Sequence, residues 1–371
     1  MSYIILSIPV FFILIGFEIL VSFLNRLNLY RLEDAITNIS CGIVMQITEV
    51  FSKTVLIVGY LFLYENYRFF TIEDSILTFV LLFIGVDFLY YWFHRYAHEI
   101  NIFWGAHIVH HQSEDYNLSV ALRQSSFQMF IGMIFYLPLA LVGFNPIAFV
   151  AVNAFQTLYQ FWIHTKTIKK LHPILEFVFA TPSHHRVHHG RNPQYIDKNH
   201  GGTLIIFDRM FGTFQAEEEE VVYGVTKPLA SWNPVWANLD WYADMLRDLR
   251  RPMRFVDKLK LLFKKPGWLP AEQGGYRKPQ VVARDYKKYS NTVTRKLGVY
   301  LACQYALVLA VVSYFLFTFK DFELLEQLLI AAFVVISVVI IGGLLEGRKW
   351  ARTGEVLRLV GAISLGFYLF G

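Results

Sequence analysis

Histidine is the residue type most able to do chemistry in this sequence. All 12 histidines lie between His94 and His200, and eight of them form three clusters with spacings of three and four residues. On a helix, residues at these spacings share one face, so each cluster can direct two or three imidazole nitrogens at one point. Imidazole is a common neutral ligand for iron, zinc and copper. The clusters are His94 and His98; His107, His110 and His111; and His185, His188 and His189.

Eight imidazoles at these spacings predict two metal ions rather than one. A tetrahedral ion needs about four ligands, and a structural zinc site closes with that number. A single pair of histidines four residues apart is common by chance among helices. Three clusters, each beside a long apolar run, are much more specific.

Composition predicts that these clusters belong to a membrane protein. The chain has 371 residues, of which 55% are hydrophobic, and its mean hydropathy is +0.40. That apolar fraction exceeds the usual value for a soluble domain. Several long apolar runs with few charged residues approach the roughly 20 residues that cross a hydrocarbon core. The runs are Ile4–Leu24, Ile76–Phe93, Phe127–Phe144, Pro146–Ile163, Leu297–Phe317, Leu324–Leu345 and Val356–Phe370, with a further candidate at Ile36–Tyr64.

Polarity divides the chain into three expected parts. Residues 1–250 are expected to form a membrane-embedded catalytic domain, with apolar helices within 1–165 and the third histidine cluster within 181–214. Residues 251–292 form a basic amphipathic linker at the membrane surface, and residues 293–371 form C-terminal transmembrane helices. Cys41 and Cys303 lie in apolar runs far apart, so they predict no disulfide framework and leave the redox compartment open.

Basic residues indicate the orientation. The stretch Arg247–Lys288 holds 13 Lys or Arg against four acids. Either attraction to anionic headgroups or ordinary positive-inside bias places such a stretch on the cytosolic side. The histidine clusters are expected on that same side. Nucleic-acid binding is not expected, because the stretch lies between membrane helices and contains no binding module.

Three further residues are candidates for support of the metal ligands. Asp87 lies inside an apolar run, where an unsatisfied carboxylate costs several kcal/mol. It precedes His94 by two helical turns, so it can accept a hydrogen bond from an imidazole and orient the ring. Its alternative is a hydrogen bond to a neighbouring helix. Glu99 is a similar candidate with surface exposure as its alternative, and His184 is expected to lie beside the metals or the substrate.

The remaining histidines have weaker signals. His164 ends an apolar run on the expected side of the membrane, so it is either a ligand or an interfacial residue. His172 and His200 have no partner at ligand spacing, and surface or structural roles are expected for both.

An all-nitrogen site with few acids at ligand spacing differs from the glutamate-rich diiron site of soluble four-helix proteins. Two histidine-bound metals at a membrane face suit oxygen activation and attack on a C–H bond of a lipid tail. Aromatic-rich helices would line an apolar channel for that tail.

The same residues resemble a known family. The three clusters resemble those of the fatty acid hydroxylase and sterol desaturase superfamily of membrane non-haem diiron oxygenases. Two segments narrow the likeness to the alkylglycerol monooxygenase group: TPSHHRVHHGRNP at 181–193 and DRMFGTF at 208–214. It covers about residues 10–270, and its other segments are 85–100, 113–125, 159–166 and 222–228.

This resemblance implies an all-α integral membrane protein, a multi-pass helical bundle with a histidine-rich diiron cap on its cytosolic face. It implies hydroxylation, with O2 and tetrahydrobiopterin, of the carbon next to the ether oxygen of an alkylglycerol lipid. The resulting hemiacetal collapses to a fatty aldehyde and a glycerol derivative. The family's iron ligands carry over onto the eight clustered histidines, with Glu99 in the matching acidic position and His164 as a ninth ligand. No sequence motif specifies a pterin pocket.

Substrate contacts and location complete the expectations. The glycerol head is expected at the polar mouth of the channel, near Asp115, Asn117, Arg123 and Gln124. The alternative is that these four are solvated loop residues without a substrate contact. The membrane is that of the endoplasmic reticulum in an animal and the inner membrane in a bacterium. The oligomeric state stays open.

Three other functions remain open at this stage. One is hydroxylation or desaturation of a sterol, fatty acid or carotenoid. Another is a histidine-rich metal transporter, which predicts ligands along a transmembrane path at mid-depth rather than beyond helix ends. The last is a non-catalytic membrane scaffold with structural zinc.

Overall fold

The protein is all helical. The computed structural model describes residues 3–279 and 286–370, and these contain two isolated β-bridges and no longer strand. The α-helices are α1 (Tyr3–Leu24), α2 (Leu32–Tyr67), α3 (Ile76–Glu99), α4 (Asn101–His111), α5 (Gln128–Val142), α6 (Pro146–Trp162), α7 (Pro173–Val178), α8 (Pro182–His188), α9 (Ile206–Met210), α10 (Pro234–Leu249), α11 (Phe255–Phe263), α12 (Arg295–Thr318), α13 (Leu324–Leu345) and α14 (Lys349–Phe370).

Four helices in the described residues are long and apolar enough to cross a membrane, and they confirm a multi-pass membrane protein. They are α1, α3, α12 and α13. A fifth span is available in α2, which bends by 42° between Leu32–Ser52 and Ile57–Tyr67. The apolar runs at Phe127–Phe144 and Pro146–Ile163 do form helices, α5 and α6. These have 15 and 17 residues, so at 1.5 Å per residue both are shorter than a hydrocarbon core of about 30 Å.

Local sequence signals start the helices that carry the site. The Ser75 hydroxyl accepts from the backbone N–H of Thr78 in a capping box at the start of α3. The Asn145 side chain accepts from Ile147 N–H, and Pro146 occupies the first position of α6. These caps determine where α3 and α6 begin. Because helix length follows residue number, they also determine where the histidines at the other ends of these helices lie.

Helix α2 joins the two halves of the bundle. Its first half packs Ile36, Ile43 and Ile47 into one core with α12 and α13. Its second half packs Tyr60 against α3, α5 and α6. The division of the chain at 250 and 292 stays a prediction, but α12 and α13 share a core with an N-terminal helix.

The polar part of the chain covers α4. The indole of Trp241 in α10 donates to the carbonyl and side-chain oxygens of Asn101, and the Asn101 N–H donates to the carbonyl of Lys264. Helix α11 buries Leu261 and exposes Phe255, as an amphipathic surface helix does. It forms the described start of the predicted basic linker, of which residues 280–285 lie outside the described part of the chain.

Close packing at Gly42 gives a test of this arrangement. A Cβ on Gly42 in α2 would lie 2.4 Å from the carbonyl oxygen of Leu122, whereas one on Gly59 in the same helix would meet nothing within 4 Å. We expect Gly42→Ala to destabilise the fold by about 1–3 kcal/mol through overpacking. Gly59→Ala is expected to stabilise it by about 0.5–1 kcal/mol through helix propensity. Denaturant unfolding in detergent measures both, and equal effects would contradict the predicted contact.

Candidate metal centre

All nine histidines predicted as ligands come together in the structure. They form two groups, and within each group one nitrogen per residue lies within 4.8 Å of all the others. Every one of the nine is buried. The first group is His94, His98, His107, His111 and His188, and the second group is His110, His164, His185 and His189.

The histidines of these groups lie at three helix ends and in one loop. His94 and His98 occupy the last two turns of α3, and α4 begins directly after Ile100, so the second cluster turns back onto the first. The third cluster lies on the short helix α8 and the residue after it, and His164 follows α6. His110 and His111 are consecutive and so lie about 100° apart around α4, and this helix contributes to both groups.

Backbone carbonyls fix the tautomer of several rings. Nδ1 of His94 donates to the carbonyl of His200 at 2.8 Å. A carbonyl can only accept, so Nδ1 carries the proton and Nε2 carries a lone pair. The same contact is made by His110 to the carbonyl of Arg123 at 3.0 Å, by His164 to that of Gln160 at 2.7 Å and by His188 to that of Lys198 at 2.9 Å.

Lone pairs therefore face one another inside each group. Nε2 of His110 lies 3.2 Å from Nε2 of His164, and both rings have committed their protons to carbonyls. In addition, Nε2 of His98 and Nε2 of His188 are buried with no hydrogen-bond partner among the described residues. Two facing acceptors repel unless a cation lies between them, so this donor set fits a bound metal ion. Neutral imidazole nitrogen suits iron, zinc and copper.

Burial keeps the rings neutral, as metal binding requires. It lowers the pKa of His107 to about 4, although a hydrogen bond to Gln128 opposes the shift. It likewise lowers the pKa of His164 to about 4. At neutral pH, therefore, no proton competes with a metal for these nitrogens.

Asp87 does not accept from an imidazole, so that expectation is wrong. Its carboxylate accepts from the side chain of Gln156 at 2.6 Å and from the backbone N–H groups of Thr203 and Leu204, both at 2.8 Å. The carboxylate is satisfied by backbone because the loop after α8 passes directly over α3. Asp87 thus acts through that loop, which also carries the carbonyl of His200 that orients His94.

A second buried carboxylate, which the sequence reading missed, holds the same loop. Asp208 accepts from the N–H groups of His200 and Gly201, each at 2.7 Å. Gly202 is needed between the two anchors, because a Cβ there would lie 2.5 Å from Nε2 of Gln156 and 3.0 Å from Oδ1 of Asp87.

Glu99 and His184 also lie away from the metal ligands. Glu99 pairs with Arg95 at 3.3 Å and approaches Lys265 at 4.0 Å, so the expected contact with a histidine is wrong. Nε2 of His184 lies 3.0 Å from Glu176, and Nδ1 of His184 caps the start of α8. His184 therefore positions the helix of the third cluster rather than facing a metal or a substrate.

Burial alone would raise the pKa of Glu176, but hydrogen bonds from His184, Leu171 and Ser183 outweigh it and lower the pKa to about 2. Glu176 therefore stays ionised and holds His184 in place at neutral pH.

Three of the four head-group candidates are structural. Arg123 is buried and donates to the carbonyl of Val109 and to the side chains of Asn38 and Gln112. Asp115 pairs with Arg31 and Lys288, each at 2.6 Å. Asn117 caps the 3₁₀ turn at Leu118–Leu122 and donates to the carbonyl of Leu29. Polar residue type in a loop did not distinguish structural anchors from substrate contacts.

Of the two unassigned histidines, one lies beside the first group. His172 is exposed, and its Nδ1 accepts from the N–H of Ile174 at the start of α7. His200 is fully buried, its ring is 5.1 Å from that of His98, and neither ring nitrogen has a partner among the described residues. Of the two roles expected for these histidines, a surface position is found for His172, whereas His200 is buried and its structural role stays a prediction.

An apolar cavity of about 450 Å³ ends on the histidines. His107 of the first group and His110 and His164 of the second group line it together with Gln124. Helices α1, α2, α5, α6 and α12 supply walls that are mainly aliphatic and aromatic, among them Phe11, Ile43, Met133, Phe149 and Leu316. The cavity is thus shaped for an apolar chain that reaches both groups.

The sequence reading named Gln124 but missed the other glutamines of this region, Gln128, Gln156 and Gln160. Gln128 and Gln160 line the cavity, and Oε1 of Gln128 accepts from Nδ1 of His107 at 2.6 Å. The available signal was the spacing of Gln124 with Gln128 and of Gln156 with Gln160, four residues apart within or beside apolar runs.

Comparison with known proteins identifies the family. The fatty acid hydroxylase family model matches residues 79–213, which include all of the nine histidines. The chain is 43% identical over 349 residues to alkylglycerol monooxygenase of Homo sapiens, covering 92% of this chain and 76% of that protein. The chain belongs to the alkylglycerol monooxygenase family. The Danio rerio member is 39% identical over 95% of this chain and 79% of its own length.

Other matches are more distant. The Schizosaccharomyces pombe Delta(7)-sterol 5(6)-desaturase erg31 is 25% identical over 43% of this chain and 51% of its own length. No solved structure matches the chain. Alkylglycerol monooxygenase relatives therefore match nearly the whole chain, whereas this desaturase matches less than half of it.

The anchor at Asp87 can be tested by mutation. We expect Asp87→Ala to destabilise the fold by about 3 kcal/mol, because it leaves two backbone N–H groups and one amide buried without an acceptor. Asp74, which is exposed and accepts from Asn145, is the control, with an expected change for Asp74→Ala within about 0.5 kcal/mol. Unfolding in detergent measures both changes. Equal small effects would show that Asp87 does not anchor the loop.

Proposed function

We propose that the protein is a membrane monooxygenase of ether lipids. It hydroxylates the carbon next to the ether oxygen of an alkylglycerol, and the hemiacetal collapses to a fatty aldehyde and a glycerol derivative. The observation that carries the proposal is the apolar cavity that ends on His107, His110 and His164, residues drawn from both histidine groups. Membership of the alkylglycerol monooxygenase family supports the same reaction.

The two histidine groups would each hold one iron ion. The facing lone pairs and the unpartnered Nε2 atoms of His98 and His188 fit such ions. When bound, the irons supply the activation of O2 that C–H insertion needs. The overall reaction joins O2, the C–H bond, two electrons and two protons to give C–OH and water. Tetrahydrobiopterin is proposed as the electron donor on the resemblance to the alkylglycerol monooxygenase group alone.

The chain's own residues prepare the substrate. Apolar walls exclude water from the cavity and hold the tail in one direction. The ether oxygen weakens the adjacent C–H bond, so selectivity requires that the cavity stop the tail with this carbon beside the histidines. Gln128 holds the ring of His107, and the carbonyls of Arg123 and Gln160 hold those of His110 and His164.

We propose that the histidines face the cytosol. The basic stretch Arg247–Lys288 supports this side through positive-inside bias. The membrane would be that of the endoplasmic reticulum in an animal and the inner membrane in a bacterium.

Metal counting tests the two-group assignment. Anaerobically purified protein is expected to hold about two iron ions per chain. His111→Ala in the first group and His110→Ala in the second group are each expected to hold about one, whereas His172→Ala is expected to match the unmodified chain. Elemental analysis gives the counts. If the unmodified protein holds a single ion and either variant holds none, the two groups form one shared site.

Product analysis tests the reaction. With O2, tetrahydrobiopterin and hexadecylglycerol, the iron-loaded protein is expected to release hexadecanal, which chromatography with mass detection measures. His185→Ala is expected to reduce turnover by more than about 100-fold, beyond the loss typical of a residue that only supports a ligand. Metal uptake into vesicles without oxygen consumption would favour a transporter, and an oxidised sterol in place of aldehyde would favour the desaturase-like reaction.

A further inference from the structure

Four glutamines surround the histidine end of the cavity. Gln124 precedes α5, Gln128 begins it, and Gln156 and Gln160 lie one turn apart on α6. All four line the cavity. Amide side chains in a mainly apolar cavity are costly unless they are satisfied by hydrogen bonds.

The side chains of two of them, and the backbone of a third, lie against the histidines that face the cavity. Oε1 of Gln128 accepts from Nδ1 of His107 at 2.6 Å, and the backbone carbonyl of Gln160 accepts from Nδ1 of His164 at 2.7 Å. Nε2 of Gln124 lies 3.3 Å from Nδ1 of His110, which donates to the carbonyl of Arg123. Amide groups therefore accompany the histidines in the cavity lining, whose other walls are mainly apolar.

Two of these amides keep unused hydrogen-bonding capacity. Oε1 of Gln160 accepts from the hydroxyl of Tyr90 at 2.6 Å, and its amide N–H groups have no acceptor among the described residues. Gln156 donates its amide to Asp87, which leaves its Oε1 as an acceptor. This end of the cavity thus offers both donors and acceptors, as vicinal hydroxyl groups require.

We propose that these glutamines, and Gln160 above all, bind the hydroxyl groups of the glycerol head and so select ether lipids with a free diol. This inference rests on the proposed function. The tail then lies along the apolar walls, past Met133 and Leu316.

The placement explains the position of attack. In an alkylglycerol, the ether oxygen and the first alkyl carbon directly follow the glycerol carbons. Holding the hydroxyls against Gln160 and against the amides that adjoin His107 and His110 brings this carbon to the histidines, because all of these residues line the same cavity. A lipid without hydroxyls has no such stop and would slide along the apolar walls.

The experiment measures discrimination rather than activity. Purified protein in detergent is titrated with hexadecylglycerol and with hexadecyl propyl ether, which has the same ether and no hydroxyl. Displacement of a fluorescent alkyl probe gives the two dissociation constants. We expect Gln160→Met to reduce the preference for hexadecylglycerol about tenfold and to leave the affinity for the propyl ether unchanged.

Gln46→Met is the matched control. Gln46 lines the same cavity from α2, where it donates to Glu49, and it has no contact with a histidine in the described chain. Its variant is expected to keep the preference of the unmodified protein. Gln160→Glu, which keeps the size and loses the amide donors, is the second variant should Gln160→Met fold poorly, as judged by thermal unfolding and metal content. It is expected to show the same loss.

Three results would overturn the proposal. An unchanged preference in well-folded Gln160→Met or Gln160→Glu would show that the amide does not bind the head. An equal loss for both lipids would show a purely structural role. Failure of the unmodified protein to bind either lipid would overturn the proposed ether-lipid function itself. This outcome is distinct from the first two, which concern only the role of Gln160.

Discussion

The hydrogen bond from an imidazole Nδ1 to a backbone carbonyl is the interaction on which this structure depends. It is made by His94, His110, His164 and His188. Each bond sets a tautomer and turns a lone pair toward the interior of a group. The chain thereby concentrates electron pairs in a buried space, an arrangement that is unfavourable without a cation. A metal ion bound there would therefore couple its binding to the folding of this region.

These hydrogen bonds require that the segments supplying the carbonyls are themselves held in place. The carbonyls of Lys198 and His200 lie outside any helix, in a stretch whose backbone needs fixed partners. Asp87 and Asp208 provide them from opposite directions, one from a membrane helix and one from the following short helix. A buried carboxylate that accepts several N–H groups is well satisfied, which explains why an acid is tolerated deep inside α3. Loop geometry, and not ligand chemistry, accounts for this residue.

Sequence reasoning identified the histidines that come together because their signal is local. Helical spacing places His94 with His98 on one face, and apolar runs predict the helices that contain them. It failed where partners are distant in sequence, because 116 residues separate Asp87 from Thr203. It also failed for Arg123, since a charged residue in a polar loop has no local mark of burial, and here its guanidinium is satisfied by three partners contributed by α2 and α4. Short-range periodicity predicts elements and ligand faces, while the partners of buried charges depend on how loops cross helices.

The position of the histidines also limits what the protein can oxidise. Two metal ions in a hydrocarbon environment would be costly, so the groups lie where α3 ends and polar segments cover α4. The cavity that reaches them is nevertheless apolar over most of its length. A molecule that fills it can place a polar end at the histidines and an apolar chain along the mainly apolar walls. The reactive carbon must then lie near the polar end, because that is the part of an amphiphile held beside His107 and His164. A bond next to a head group satisfies this geometry, whereas one in the middle of a long chain would require the head to pass beyond the histidines.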